Sequence, residues 1–154
     1  MSNVIHVING PNLNLLGMRP AEHYGSLKLD EILKEMEAKA KSLGLSLVHV
    51  QSNDEGKLVD AIQQVALGDA AGLVINAAAY SHTSIAIRDA LECVSVPVIE
   101  VHLSNIYARD DFRHHSYVSE VVDGVISGLG PMGYLFAIEA LAGAEVETET
   151  DEDV

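Results

Sequence analysis

An internal disulfide needs two thiols, and this chain has one cysteine, Cys93. A disulfide framework is thereby excluded, and the cytoplasm is the expected location. Basic residues are scarce as well, nine Lys and Arg against 23 Asp and Glu, for a net charge of -14. Nucleic-acid phosphates need a basic surface, so a nucleic-acid partner is not expected. Six of those acids crowd into residues 145–154, which are expected to form a solvated, disordered appendage to a single domain spanning 1–144. No apolar run approaches the roughly 20 residues of a membrane helix, and Met1-Ser2-Asn3 leads straight into Val4-Ile5-His6-Val7-Ile8. Neither a signal peptide nor a membrane partner is expected. All the lysines fall between Lys28 and Lys57, most of them on the wet side of one helical stripe, which speaks against a Schiff-base lysine. No internal repeat is evident.

What remains is a chain of 154 residues, 48% hydrophobic, enough for one well-filled core. Strand-like runs at Val4 to Ile8, Leu45 to Gln51, Gly72 to Asn76, Val96 to Val101 and Gly124 to Ser127 alternate with helical stripes. Ile32, Leu33, Met36, Ala40 and Leu43 make the first stripe; Leu58, Ile62 and Val65 the second; Ile87, Ala90, Leu91 and Val94 the third. Gly44 is the expected stop of the first helix, Ser52-Asn53-Asp54 the start of the second, and Thr83 or Ser84 the cap of the third. A last, nearly all-apolar helix is expected from about Met132 to Leu141, buried under the sheet or in a subunit contact. Strands alternating with helices imply an α/β fold, a flavodoxin-like three-layer sandwich with a five-stranded parallel sheet of order 2-1-3-4-5.

That strand order opens a crevice beyond the carboxyl ends of strands 1 and 3, where open parallel sheets bind ligands. Three polar clusters end strands there: Asn9-Gly10-Pro11-Asn12, Asn76, and His102-Leu103-Ser104-Asn105. Alternate residues of a strand share a face, so Glu100 and His102 can interact at the end of strand 4. A carboxylate beside an imidazole is an arrangement for general acid or base work. An anionic ligand would need local donors against the overall negative field, and the four arginines, Arg19, Arg88, Arg109 and Arg113, are the candidates.

The stretches Asn9 to Gly17, Arg19 with Tyr24-Gly25, Gln51 to Asn53, Ala79 to Ser84, Arg88-Asp89, Glu100 to Asn105, and Ala108-Arg109 through Phe112 to Tyr117 together resemble type II 3-dehydroquinate dehydratase, over roughly residues 4 to 142. The resemblance implies removal of water from 3-dehydroquinate through an enolate, without metal or cofactor. By position it implies Tyr24 as base, Arg19 as its activator, His102 as acid and Asn12 as holder of a water near the enolate oxygen. It further implies Asn76, Leu103 and Ser104 as the carboxylate site, and Arg113, His82 and Asp89 as contacts to the ring hydroxyls. The Asp89 equivalent reaches a neighbouring subunit in that family, whose trimers build a homo-oligomeric dodecamer. Two departures stand out. Ala77-Ala78 occupies the place of Pro-Gly in many relatives and would be strained if the turn needs a positive backbone angle. Pro20-Ala21 replaces a more usual Glu-Pro in the mobile loop, which is expected to alter lid flexibility while Arg19 and Tyr24 keep their spacing.

The residues constrain the chemistry independently. A phenol with the ordinary pKa of about 10 is roughly one part in a thousand ionised at pH 7, and a nearby guanidinium such as Arg19 favours the anion. Glu100 can hold the His102 imidazolium ready to donate. Backbone N–H groups after strand 4, the Ser104 hydroxyl and the Asn76 amide can bind a carboxylate. Simpler roles stand beside these: a loop anchor for Tyr24, a turn for Asn12, a strand terminator for Asn76, and a cap for Ser104 or His82. Local ion pairs are open to Arg113 with Asp110 or Asp111 and to Asp89 with Arg88, and loop packing to Arg109. Three other readings compete. A metal enzyme using His102, His114 and His115 lacks regular ligand spacing. A nucleotide-binding module lacks the several glycines of a phosphate loop, since the first turn has neither GxGxxG nor GxxxxGK. A catalytically silent relative would be expected to have lost at least one of the acid, base or activating residues.

Overall fold

The computed structural model describes residues 2–151, apart from the side chains of Tyr24 and of residues 145–151. Five strands, β1 (Val4–Asn9), β2 (Ser46–Gln51), β3 (Gly72–Asn76), β4 (Val98–His102) and β5 (Gly124–Ser127), form one sheet in the order β2-β1-β3-β4-β5. Every neighbouring pair is parallel. The expected order and class are therefore those observed. Helices α1 (Ala21–Tyr24), α2 (Leu29–Ser42), α3 (Glu55–Leu67), α4 (Ile85–Glu92) and α5 (Met132–Asp151) complete the chain with short 3-10 turns.

Two apolar layers sandwich the sheet. On one face α2 and α5 bury Ile32, Met36, Ala40, Tyr134, Ala137, Ile138 and Leu141 against Ile5, Val7, Val74 and Val101. On the other, α3 and α4 bury Leu58, Ile62, Val65, Ile87 and Leu91 against Ile8, Leu73, Ile75 and Val98. Each such aliphatic side chain contributes about 1.5–3 kcal/mol by leaving water, so the central strands are held from both sides. Packing is close enough that a Cβ on Gly72 would come within 3.0 Å of Leu141.

Local signals explain the boundaries. Gly44, at φ 75°, ends the α2 connection. Asp54 caps α3 by accepting the Lys57 N–H at 3.0 Å, and Ser84, rather than Thr83, caps α4 by accepting the Ile87 N–H at 3.0 Å. The final helix runs past the expected end at Leu141 to Asp151, because no proline interrupts it and Gly143 alone is too weak a breaker. Residues 152–154 of the acidic segment lie outside the described residues. Among the described residues no helix is long and apolar enough to cross a membrane.

Strand register carries the polar residues to one edge. Asn9 stands opposite Asn76, and Ile75 opposite Glu100, so the ends of β1, β3 and β4 deliver buried Asn9, Asn76, Glu100 and His102 side by side.

Candidate active site

The floor of the site is a junction of turns. The Gly10 N–H donates to the Asn76 carbonyl at 2.8 Å, and a Cβ on Gly10 would sit 2.5 Å from the Ala77 carbonyl oxygen. Only glycine allows that approach. Asn12 then turns through the left-handed region at φ 67°, which asparagine tolerates better than most residues. Its N–H donates to Asn53 Oδ1 at 3.0 Å, while Gln51 Nε2 donates to the Gly10 carbonyl at 3.1 Å. After β3, Ala78 takes a positive φ of 51°, so the strain anticipated for Ala77-Ala78 falls on Ala78. Asn76 Oδ1 accepts the Ala78 N–H at 3.1 Å and staples that turn.

At the end of β4, Glu100 is completely buried. His102 donates its Nε2–H to Glu100 Oε2 at 2.5 Å, Ser116 donates its hydroxyl to the same oxygen at 2.7 Å, and Ser119 donates to Oε1. Burial alone would push this carboxyl up. The hydrogen bond and charge of His102, with the hydrogen bonds of Ser119 and Ser116, outweigh burial and hold it below the usual carboxylate value. The carboxylate fixes the His102 ring with Nε2 inward, which leaves Nδ1 as the ring nitrogen not engaged with Glu100.

Around this pair opens a cleft of about 130 Å³ bounded by Asn12, Asn76, His82, His102, Leu103 and Ser104. Three of the four arginines, Arg19, Arg109 and Arg113, also line it. Three guanidiniums in one cleft of a strongly acidic protein make a local site for an anion. Arg109 Nη1 donates to the Ser104 hydroxyl at 3.3 Å, and Ser127 ties the Ser104 carbonyl at 3.1 Å. Arg113 Nε approaches Asp110 at 3.6 Å, too far for a hydrogen bond. That buried nitrogen has no hydrogen-bond partner among the described residues.

His82 lies with its ring centroid 6.2 Å from that of His102 in a stacked pose. Its Nδ1 meets the His115 carbonyl at 2.7 Å. A carbonyl only accepts, so the proton sits on Nδ1 and neutral His82 has an acceptor at Nε2. Burial is the main cause that keeps His82 below the ordinary histidine value, and nearby His102 and Arg113 act in the same direction. A second depression of about 340 Å³ shares Leu103, Ser104 and Arg109 with the cleft and is walled by Glu22 and His23 of α1. The Arg19 to Gly25 segment thus lies over the junction of the two.

The geometry has close counterparts. Residues 3–142 match the family Dehydroquinase class II. The chain belongs to that family. It is 55% identical to a 3-dehydroquinate dehydratase of Erwinia tasmaniensis over 141 residues, 90% of this chain and 93% of the relative. It is 54% identical to one of Azorhizobium caulinodans over 142 residues, 92% and 95% of the two chains. The crystal structure of a type II dehydroquinase from Propionibacterium acnes superposes with a TM-score of 0.89 at 45% identity, covering 93% of this chain and 98% of that one.

Of the residues expected for a class II dehydroquinase site, Asn12, Arg19, Asn76, His82, His102, Leu103, Ser104 and Arg113 share the cleft, with Glu100 behind His102. Tyr24 ends α1, and its side chain lies outside the described residues. Asp89 sits on α4 outside the cleft lining, near Arg88 Nη1 at 3.5 Å. The histidines weighed as metal ligands diverge: His102 turns to Glu100, His114 donates to the Arg109 carbonyl at 3.0 Å, and His115 meets Glu120 at 2.8 Å. The sequence reading missed Ser116 and Ser119, whose only signal is polar residues three apart in a short turn. It also missed Tyr134 and His49, which line up with Asn9 behind Asn76. For these a buried Tyr in an otherwise apolar helix was the available clue.

Proposed function

We propose that this chain dehydrates 3-dehydroquinate to 3-dehydroshikimate, a step of the shikimate pathway. Its similarity to enzymes of that name supports the substrate. The observation that carries the reading is the convergence of Arg19, Arg109 and Arg113 with the Glu100–His102 pair on one cleft. A carboxylate-bearing substrate needs the first group, and departure of a hydroxyl needs the second.

In this reading Tyr24, as phenolate beside Arg19, takes the proton from the carbon next to the ketone. The electron pair moves onto the ketone oxygen as an enolate, stabilised by a water held by Asn12. Collapse of the enolate breaks the C–O bond beta to the carbonyl, and His102 delivers a proton from Nδ1 so that the hydroxyl leaves as water. Glu100, anchored by Ser116 and Ser119, holds His102 in the needed orientation. Asn76, Ser104 and the Leu103 segment take the substrate carboxylate. His82, through its Nε2 acceptor, and Arg113, through its guanidinium, take ring hydroxyls. Asp89, about two-thirds exposed on α4, serves a neighbouring copy in a dodecamer of trimers. The acidic segment 145–154 is a solvated appendage to the catalytic domain 1–144, and the enzyme works in the cytoplasm without metal or cofactor.

The test follows enone absorbance with 3-dehydroquinate as substrate. The wild-type chain forms product, while Tyr24→Phe loses turnover by about a thousandfold or more yet still binds product. Near-normal turnover by Tyr24→Phe would remove the phenol from its role. Covalent trapping by borohydride would replace the enolate route with an imine.

A further inference from the structure

Behind Asn76 a row of neutral side chains crosses the sheet layer. Asn76 Nδ2 donates to the Tyr134 hydroxyl at 2.9 Å. Tyr134 donates in turn to Asn9 Oδ1 at 2.5 Å, and Asn9 Nδ2 stands 3.0 Å from His49 Nε2. The four residues come from β3, α5, β1 and β2, and both Asn76 and Tyr134 are buried.

The direction of every bond follows from one fixed end. Ala78 has only an N–H to offer, so Asn76 must present Oδ1 to it and Nδ2 to Tyr134. One amide hydrogen of Asn76 is then used by Tyr134, and the other is left for the cleft that Asn76 lines. Tyr134, accepting from Asn76, must donate to Asn9. Asn9, accepting through Oδ1, must donate through Nδ2. His49 Nε2 therefore has to accept, which requires a lone pair there and the ring proton on Nδ1.

We propose that Tyr134, Asn9 and neutral His49 are positioning residues that lock the Asn76 carboxamide with its amino end toward the substrate carboxylate. This rests on the reading of Asn76 as a carboxylate donor. Adding a proton to His49 Nε2 sets two donors against each other. Relieving that clash by turning the amides over propagates to Asn76 and ends with its Nδ2 against the Ala78 N–H, at the one strained alanine of the site. Half-buried His49 is kept below the ordinary histidine value chiefly by burial, against Asp30 and Glu37 of α2, which face it and favour the charged ring. From β1 it meets Val7 in register and the Asn9 amide, neither of them charged. The row is thus kept in its working direction at neutral pH and is opposed by acid.

Two measurements test this. Long-range proton–nitrogen NMR of the 15N-labelled protein is expected to show His49 neutral with its proton on Nδ1. A proton on Nε2 at neutral pH overturns the proposal whether or not the chain has the proposed activity. In steady-state kinetics with 3-dehydroquinate, Tyr134→Phe and His49→Leu are expected to raise KM about tenfold with kcat within about threefold, as for lost ground-state positioning. His49→Gln, whose Oε1 can stand in for the accepting nitrogen, is expected to recover most of that loss. It should also abolish the rise in KM that is expected of the wild type in acid, as His49 takes up a proton below the ordinary histidine value. Unchanged KM in His49→Leu, or equal losses in His49→Leu and His49→Gln, would overturn the positioning role even if Tyr134→Phe fails to fold. A wild-type chain inactive on 3-dehydroquinate would instead remove the functional reading, leaving the NMR result to decide the hydrogen-bond row.

Discussion

The ends of β3 and β4 lie side by side, yet they keep polar groups buried in opposite ways. Asn76 is held by uncharged partners, donating to the Tyr134 hydroxyl, which donates on to Asn9, and accepting from the Ala78 N–H, so its orientation is fixed without any net charge to desolvate. Glu100 is held by three donors that offset the burial of a full charge. The neutral row can specify which end of an amide faces the ligand. The charged cluster can specify the tautomer of an acid. One strand end thus suits recognition and the other proton transfer, and both border a single cleft.

Substitutions on the two sides should separate these roles. The largest effect is expected from His102→Ala, which removes the proposed acid and should lower kcat by about a thousandfold, within the usual range for general acid–base groups, while product binding changes little. Asn76→Ala should do the reverse, with the larger change in KM; equal kcat losses at both positions would erase the distinction.

A smaller effect is expected from Glu100→Gln, which leaves shape but removes charge. It should cost about 2 kcal/mol of stability at neutral pH, the scale of hydrogen bonds to a charged group, read by denaturant unfolding. The pH dependence carries the sign. Because folding lowers the Glu100 pKa, its contribution is present above the unfolded value of about 4.3 and is lost as pH falls through the folded value. The wild type should therefore lose this increment in acid, and the glutamine variant should show a flatter acid limb.

The smallest effect belongs to Ala78, on the neutral side. Its left-handed conformation costs an L-residue about 1 kcal/mol, so Ala78→Gly should raise the unfolding temperature by about 3 °C or less. A fall in stability would mean that the Asn76 staple depends on the alanine side chain.

Much of this molecule is legible in the sequence because its signals are local. Apolar runs of β1 and β3, the Gly44 stop and the Ser84 cap each act over a few residues, and the strand order follows from alternation with helices. The Glu100–His102 pair is legible for the same reason, since a strand's two-residue period puts both on one face. Asn76 terminates its strand by bonding the Ala78 N–H and also lines the cleft, so the simpler role leaves room for the functional one. Tyr134 and Asn9 are another matter. They are separated by most of the chain and meet only because α5 packs across β3 and β4, so no spacing in the sequence announces their bond. Ser116 and Ser119 reach Glu100 from a succession of short turns whose path no periodicity encodes. Asp89 lies outside the cleft of its own chain, so no spacing in the sequence gives it a place there, and its expected role rests on the family resemblance alone.

The contact at Gly10 sets a mechanical limit. With no room for even one methyl group between the first and third turns, the ground under the ligand cannot drift, and accuracy there is inherited from a steric stop rather than maintained by weak bonds. Efforts to retune the pocket should leave that weld untouched and vary the opposite wall around Arg113, whose guanidinium is held there, among the described residues, only by a loose approach to Asp110 and the ring of Phe112.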